Sequence, residues 1–77
     1  MMKELVERIA RELVDQPDQV SVTEIEGGRT VVFELRVAKS DIGKIIGKRG
    51  QNVNAIRTIL NAVSGKSRKQ VVLELIE

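Results

Sequence analysis

The 77-residue sequence lacks both cysteine and histidine, the side chains that most often bind transition metals, form disulfides or act as thiolate nucleophiles. We therefore expect no metal centre, no disulfide and no thiol catalysis, in a chain compatible with the reducing cytosol. No apolar run approaches the roughly 20 residues that a membrane-spanning helix needs. The first turn carries charges at Lys3 and Glu4 and has no uninterrupted apolar stretch, which argues against a signal peptide. These absences predict a soluble cytoplasmic protein.

The charged residues are unevenly distributed along the chain. Residues 39–69 contain eight Lys or Arg and a single acidic residue, Asp41, whereas residues 1–38 contain five basic and eight acidic residues. A basic block within an otherwise acidic chain is typical of a surface that meets a polyanion. The alternative is a solvated, lysine-rich surface that binds nothing, and the charge pattern alone favours neither interpretation.

The first half of the chain predicts one helix followed by a β-hairpin. Apolar residues recur at helical spacing from Met2 to Leu13, and this helix should end near Gln16 because a residue that precedes proline is disfavoured in a helix. Two β-type runs follow, joined by the turn signal Gly27-Gly28. Ile25 breaks the alternation of the first run, which predicts a bulge or a change of register near Thr23-Glu24.

The second half predicts a short helix, a long helix and a final strand. Ser40 is a candidate N-cap for the short helix, whose residues Ile42, Ile45 and Ile46 should face inward. The long helix should run from about Gln51 to Ser64, before a strand over residues 71–76. A helical crossover allows this last strand to pair in parallel with the second. The predicted fold is α+β in the order α-β-β-α-α-β, a three-stranded mixed sheet with three helices packed on one face.

The segment Gly47-Lys48-Arg49-Gly50 joins the two consecutive helices through two glycines and two cations. Glycine lacks the Cβ atom that would hold a phosphodiester away from the main chain. The N-terminus of the following helix offers free N–H groups and partial positive charge. Such a loop can bind a sugar-phosphate backbone without selecting a sequence. The alternative is a helical corner in which glycine only permits the bend.

The segment from Ile46 to Ile56 resembles the signature of KH domains: Ile-Gly, two variable residues, Gly, and aliphatic residues three and six positions later. The order of elements resembles the type II, or prokaryotic, arrangement, and the likeness extends over residues 1–77 as a single KH domain. The runs Leu13–Asp18, Leu35–Ala38 and Ala55–Thr58 look like those of small bacterial RNA-binding members. Val53 stands where many KH domains have isoleucine, which changes the volume of the groove but not its chemistry.

The resemblance implies that the Gly-x-x-Gly loop clamps the backbone of single-stranded RNA beside an aliphatic groove, to which Ile56 also contributes. Each groove residue also fits the core face of its helix, which is the main alternative to contact with bases. The exposed cations of the neighbouring helices either assist RNA binding or only solvate those helices. The basic loop from Gly65 to Lys69 is implied to close the far side of the groove. The predicted RNA-binding residues are Gly47, Lys48, Arg49, Gly50, Ile46, Ile42, Val53, Lys44 and Arg57.

The resemblance further implies a homodimer, or a complex with a larger KH-containing protein, and a role as an RNA chaperone or post-transcriptional regulator. The main alternative is a protein–protein assembly module in which RNA binding is incidental. An apolar stripe on the long helix is either core or a dimer seam, and it comprises Ala55, Ile59, Ala62 and Val63.

Other classes of function are disfavoured by the same residues. Phe33 is the only aromatic residue and falls on the strand face expected to be buried, so recognition by base stacking on exposed rings is excluded and weak binding is expected. The P-loop pattern is not met, because Gly43 and Gly47 are one residue too close and Arg49 follows Lys48. We predict no enzymatic activity, no cofactor and no small-molecule substrate.

Overall fold

The computed structural model describes residues 2–65 and 69–77 and has the predicted order of elements. Within these residues, three 3₁₀ turns lie between the helices and strands, at Pro17–Gln19, Lys39–Asp41 and Lys48–Gly50. The helices are α1 (Met2–Leu13), α2 (Ile42–Ile46) and α3 (Gln51–Ser64), and the strands are β1 (Ser21–Gly27), β2 (Thr30–Arg36) and β3 (Gln70–Ile76).

The three strands form one mixed sheet in the order β1-β2-β3. β1 and β2 are antiparallel and pair without interruption from Ser21 opposite Arg36 to Gly27 opposite Thr30, so the predicted bulge is wrong. Ile25 departs from the alternation because it lies opposite Val32 on the sheet face that no helix covers, where it is 47% exposed. β3 pairs in parallel with β2, as predicted.

The core lies between the helices and one face of the sheet. Cross-strand neighbours on that face include Val22 opposite Leu35 and Phe33 opposite Leu73, all of them buried. Burial of such a side chain contributes about 1.5–3 kcal/mol to folding. The helices complete this core with Val6, Ala10, Ile45, Val53, Ile56 and Leu60.

A buried carboxylate sets the end of α1. The helix ends at Leu13, three residues before the predicted boundary, because the backbone N–H groups of Asp15 and Gln16 donate to the Asp41 carboxylate at 3.2 and 3.1 Å. Those groups would otherwise donate to carbonyls within the helix. The predicted capping role of Ser40 is also wrong: α2 has no side-chain cap, and the Ser40 hydroxyl instead accepts a hydrogen bond from Gln16 Nε2 at 3.1 Å.

The basic loop expected to close the groove falls largely on residues 66–68, which lie outside the described residues. Lys69, which follows them, forms an ion pair with Glu26 at 3.2 Å. None of the helices within residues 2–65 and 69–77 is both long enough and apolar enough to cross a membrane. Over the same residues, no cluster of three or more acidic, cysteine or histidine side chains could hold a metal ion.

Candidate nucleic-acid interface

The corner between α2 and α3 has a backbone conformation that depends on glycine. Gly47 has φ 73° and ψ 177°, and Gly50 has φ 76° and ψ 13°. The conformation of Gly47 is essentially confined to glycine, and the left-handed conformation of Gly50 is costly for a residue with a side chain. Arg49 is the only non-glycine residue with positive φ among the described residues, at φ 56° and ψ 28° in the left-handed helical region. The sequence Gly-x-x-Gly therefore corresponds to a kink between α2 and α3 in which Gly47, Arg49 and Gly50 have positive φ.

Asn52 packs against Gly47 and holds the corner together. A Cβ atom at Gly47 would lie 2.7 Å from Asn52 Cγ and 2.9 Å from the Asn52 backbone nitrogen, closer than real contacts allow. The Asn52 side chain also donates through Nδ2 to the carbonyl oxygen of Lys44 at 2.8 Å, which links the first turn of α3 to the last turn of α2. The absence of a side chain at Gly47 thus permits the two helices to approach closely.

Two backbone donors at the tip of the corner remain available. Gly50 N–H donates to the Gly47 carbonyl at 3.2 Å, and Gly47 N–H donates to the Gly43 carbonyl at 2.9 Å. The N–H groups of Lys48 and Arg49 form no such bond with any other residue that the structure describes. Successive free N–H groups in a turn form a concave donor site that suits an anion.

The two cations at the corner are exposed and unpaired within the described chain. Neither Lys48 nor Arg49 forms an ion pair or a side-chain hydrogen bond with another described residue. With Gln51 and Asn54 they line a polar cleft of ≈ 740 Å³ on one side of the corner. Two cations of the basic block noted in the sequence therefore lie beside the backbone donors.

An aliphatic groove of ≈ 480 Å³ lies on the other side of the corner. The α2–α3 side contributes Ile42, Ile46, Val53 and Arg57, and the opposite wall is the free edge of β3 and the chain end, with Leu73, Glu74, Leu75 and Glu77. The structure thus brings four of the predicted site residues together in this groove. Its second wall was not predicted, because nothing local in the β3 sequence indicates which strand forms the edge beside α3.

The isoleucines and valines assigned to the groove differ in how far they are exposed. Ile46 is 38% exposed and Ile42 is half-buried, so both present apolar surface to the groove. Val53 is 9% exposed, whereas Ile56 is 2% exposed and belongs to the core. The expectations that Ile46 faces inward and that Ile56 lines the groove are wrong, and Ile45 is the fully buried residue of α2.

Lys44 lies outside both clefts and is paired. Its ammonium nitrogen is 2.8 Å from Asp15 Oδ2 and 3.8 Å from Asp41 Oδ1. The hydrogen bond and the charge of Asp15, with a smaller effect from Asp41, raise the pKa of Lys44 above its ordinary value. Lys44 therefore ties α2 to the segment after α1, and its role towards RNA remains a prediction.

Arg57 lies within the aliphatic groove. Its Nη2 atom donates to the carbonyl oxygen of Leu73 at 3.3 Å, across the groove from α3 to the free edge of β3. This contact places Arg57 between the two walls, although the residue is exposed, and its role towards RNA remains a prediction. The sequence did not predict the role of Asn52 in holding the corner together. The available signal was its position two residues after Gly50, at the start of the long helix.

Comparison with known proteins extends these observations. The KhpA/KhpB KH-domain family matches residues 3–75. RNA-binding protein KhpA of Aquifex aeolicus is 55% identical over 99% of this chain and 96% of that relative. The protein of the same name from Clostridium acetobutylicum is 49% identical over 97% of this chain and 100% of that relative. The corresponding Chlamydia pneumoniae protein is 47% identical over 99% of this chain and 97% of its own.

The fold is also similar to part of a larger protein. Era of Aquifex aeolicus, in a crystal structure with GDP.AlF4-, superposes with a TM-score of 0.59 and 27% identity over 96% of this chain, which spans only 29% of Era. A second Era structure, in complex with MgGDPNP and nucleotides 1506–1542 of 16S ribosomal RNA, has the same TM-score. The type II KH resemblance of the sequence is confirmed. The chain therefore belongs to the KhpA/KhpB family of KH domains, whose matched members are named RNA-binding proteins.

Proposed function

We propose that this chain, as a single KH domain over residues 1–77, binds single-stranded RNA by holding the sugar-phosphate backbone against Gly47–Gly50. The proposal rests on a corner of positive φ at which the N–H groups and the cationic side chains of Lys48 and Arg49 have no partner among residues 2–65 and 69–77. A phosphodiester can accept from those N–H groups while Lys48 and Arg49 neutralise its charge. Gly47 and Gly50 leave the main chain uncovered for this approach.

The aliphatic groove supplies the second half of the proposed interaction. With the backbone held at the corner, bases extend over Ile42, Ile46 and Val53 towards the free edge of β3. Aliphatic side chains provide apolar contact with any base, so little sequence preference is expected. Base stacking on an aromatic ring contributes about 1–3 kcal/mol per base, and Phe33 is fully buried and cannot provide it. We therefore expect one domain, holding about four nucleotides, to bind weakly.

Weak binding by one domain makes association with a second domain useful, because linkage raises the effective concentration of the second site. The outer face of α3 is suited to such an association, since Ile59 is 41% exposed and Val63 is 55% exposed one helical turn later. Ala55 and Ala62 are also exposed on α3. We propose that this stripe mediates a homodimer or a complex with a KhpB-like KH protein, and that the assembly acts in the cytoplasm as an RNA chaperone or post-transcriptional regulator.

The same stripe favours a second candidate function, a protein assembly module in which RNA binding is incidental. The two functions predict different effects of changes at the corner and on α3. Charge reversal at Lys48 and Arg49 should abolish RNA binding and leave assembly unchanged under the first proposal. Under the second, only changes at Ile59 and Val63 should affect the cellular role.

The test is a titration of single-stranded RNA into the Lys48→Asp/Arg49→Asp variant, in which NMR chemical-shift changes of the protein report binding. Aspartate tolerates the left-handed conformation of Arg49 better than most residues, so the fold should persist. A matched control, Arg8→Glu/Arg29→Asp, makes the same change in net charge at exposed positions outside both clefts. We expect binding to be lost in the first variant only. Undiminished binding by the corner variant, or equal loss in the control, contradicts the proposal.

A salt titration of the wild-type protein gives a second measure. The logarithm of the binding constant should fall with the logarithm of the salt concentration, with a slope of about −0.7 for each phosphate neutralised on a single strand.

Sedimentation of Ile59→Asp/Val63→Asp, with Asn61→Asp as control, tests the assembly surface. The homodimer is contradicted if the wild-type protein sediments as a monomer at every accessible concentration and the α3 variant sediments in the same way.

A further inference from the structure

The corner separates two clefts of different chemistry, and the cations line only one of them. The groove with Ile42, Ile46 and Val53 includes neither Lys48 nor Arg49 in its lining. The cations lie instead in the cleft of ≈ 740 Å³ that they share with Gln51 and Asn54. A strand whose bases occupy only the aliphatic groove therefore leaves the Gln51 and Asn54 part of this polar cleft unused.

The four side chains that line the polar cleft are available to a ligand. All four are exposed, and none forms a side-chain hydrogen bond or an ion pair with a described residue. Gln51 and Asn54 are three residues apart on α3 and so project from neighbouring positions of one helix face. The described lining contains no carboxylate and no aliphatic or aromatic side chain.

We propose, resting on the function above, that this polar cleft is an extension subsite that binds the phosphate and ribose of one nucleotide beyond those held in the groove. Lys48 and Arg49 then share their two positive charges between the phosphate at the corner and the additional phosphate. The carboxamides of Gln51 and Asn54 both donate and accept, which suits the ribose 2′-hydroxyl, itself a donor and an acceptor.

The position of the cleft favours a nucleotide over a free anion or a protein segment. The cleft shares Lys48 and Arg49 with the corner, so a strand held there continues directly into it. A peptide that docks through apolar anchors would find no apolar side chain in this lining. The subsite therefore lengthens the RNA that one domain recognises and adds contact with the sugar.

The experiment compares a four-nucleotide RNA of mixed sequence with the same RNA extended by one nucleotide at its 5′ or its 3′ end. We expect extension at one end only to tighten binding by the wild-type protein roughly three- to tenfold, the effect of one added charge-assisted contact in a solvated cleft. The salt slope should steepen by about 0.7 for that RNA. An extended RNA with deoxyribose at the added position should lose part of the gain.

The diagnostic variant is Gln51→Ala/Asn54→Ala, and the matched control is Gln19→Ala/Asn61→Ala, which removes two exposed amides elsewhere. Alanine is a better helix former than either residue, so α3 should persist, which thermal unfolding checks. The diagnostic variant should bind the four-nucleotide RNA like the wild type and gain nothing from extension. The control should retain the gain.

The outcomes separate the subsite from the main proposal. Equal affinity of the wild type for short and extended RNA, or an unchanged gain in the diagnostic variant, overturns the subsite while short-RNA binding at the corner stands. Full retention of the gain by the deoxyribose RNA overturns the ribose contact. Absence of binding to every RNA refutes the proposed function itself.

Discussion

The corner at Gly47 allows a stability prediction to be worked out from the structure. In Gly47→Ala the new Cβ atom meets Asn52 Cγ at 2.7 Å and the Asn52 backbone nitrogen at 2.9 Å. The side chain can rotate away, but the backbone nitrogen cannot do so without moving the first turn of α3. The substitution also places alanine at φ 73° and ψ 177°, a region that costs about 1–3 kcal/mol for a residue with a side chain.

The expected destabilisation follows from these two contributions. If the Asn52 side chain moves, its hydrogen bond to the Lys44 carbonyl is lost as well, at about 1 kcal/mol. Gly47→Ala should therefore lower the free energy of unfolding by about 2–4 kcal/mol. That is a large fraction of the total for a domain of this size, since native domains are stable by about 5–15 kcal/mol.

The assay is urea denaturation followed by circular dichroism, with Gly43→Ala as the matched control. Gly43 lies in α2 on the same short segment, and a Cβ atom there meets nothing within 4 Å. Alanine in a helix is favoured over glycine by about 0.5–1 kcal/mol, so the control should be unchanged or slightly more stable. The assigned role of the Cβ contact would be refuted if Gly47→Ala were as stable as the wild type, or if Gly43→Ala lost as much stability as Gly47→Ala.

Three further changes test other parts of the same structure. Asp41→Asn should destabilise the protein by about 1–3 kcal/mol in urea unfolding, because one amide oxygen must replace a carboxylate that accepts two backbone hydrogen bonds while almost fully buried; a neutral effect contradicts this role. Lys44 has a raised pKa, so its contribution to stability is complete below its unfolded pKa and is lost as pH rises through the higher folded pKa. The difference in unfolding free energy between wild type and Lys44→Met should thus be constant from about pH 6 to 9 and shrink above about pH 10. A difference that already shrinks as the pH rises from about 6 to 9 counts against the ion pair. Phe33→Ala should lower the free energy of unfolding by about 3–5 kcal/mol in thermal unfolding, whereas Ile25→Ala, on the sheet face that no helix covers, should have only a small effect. Comparable losses of stability in the two variants would mean that this outer face is covered.

The regular elements could be predicted because their patterns are local. The 3.6-residue period of α1 and α3 and the alternation of β2 are set by which side chains must face the core. The alternation failed as a guide at Ile25 because it assumes that every apolar residue faces inward, whereas the outer face of an antiparallel pair can carry an apolar residue without a bulge.

The errors lie where distant residues decide the local structure. α1 stops at Leu13 because Asp41, 26 residues beyond Asp15, takes the N–H groups that would have continued the helix. Ser40 was assigned as a cap from its position, but Gln16 occupies its hydroxyl. Neither partner can be identified from the neighbouring sequence, because each contact depends on how the segment after α1 packs beside α2.

The geometry of the corner depends on these same long-range contacts. α2 has only five residues, far fewer than the roughly 12–15 that an isolated helix needs to be even marginally stable in water, so it cannot hold the loop in place by itself. Before its first turn, the Asp41 carboxylate binds the backbone of Asp15 and Gln16, and at its last turn the Lys44 carbonyl accepts from Asn52. Both ends of α2 are therefore fixed by hydrogen bonds to other elements, and the free N–H groups of the corner are held in one arrangement before any ligand arrives. Such preorganisation reduces the entropy lost on binding, which matters most for a domain that has no aromatic platform to strengthen its hold on RNA.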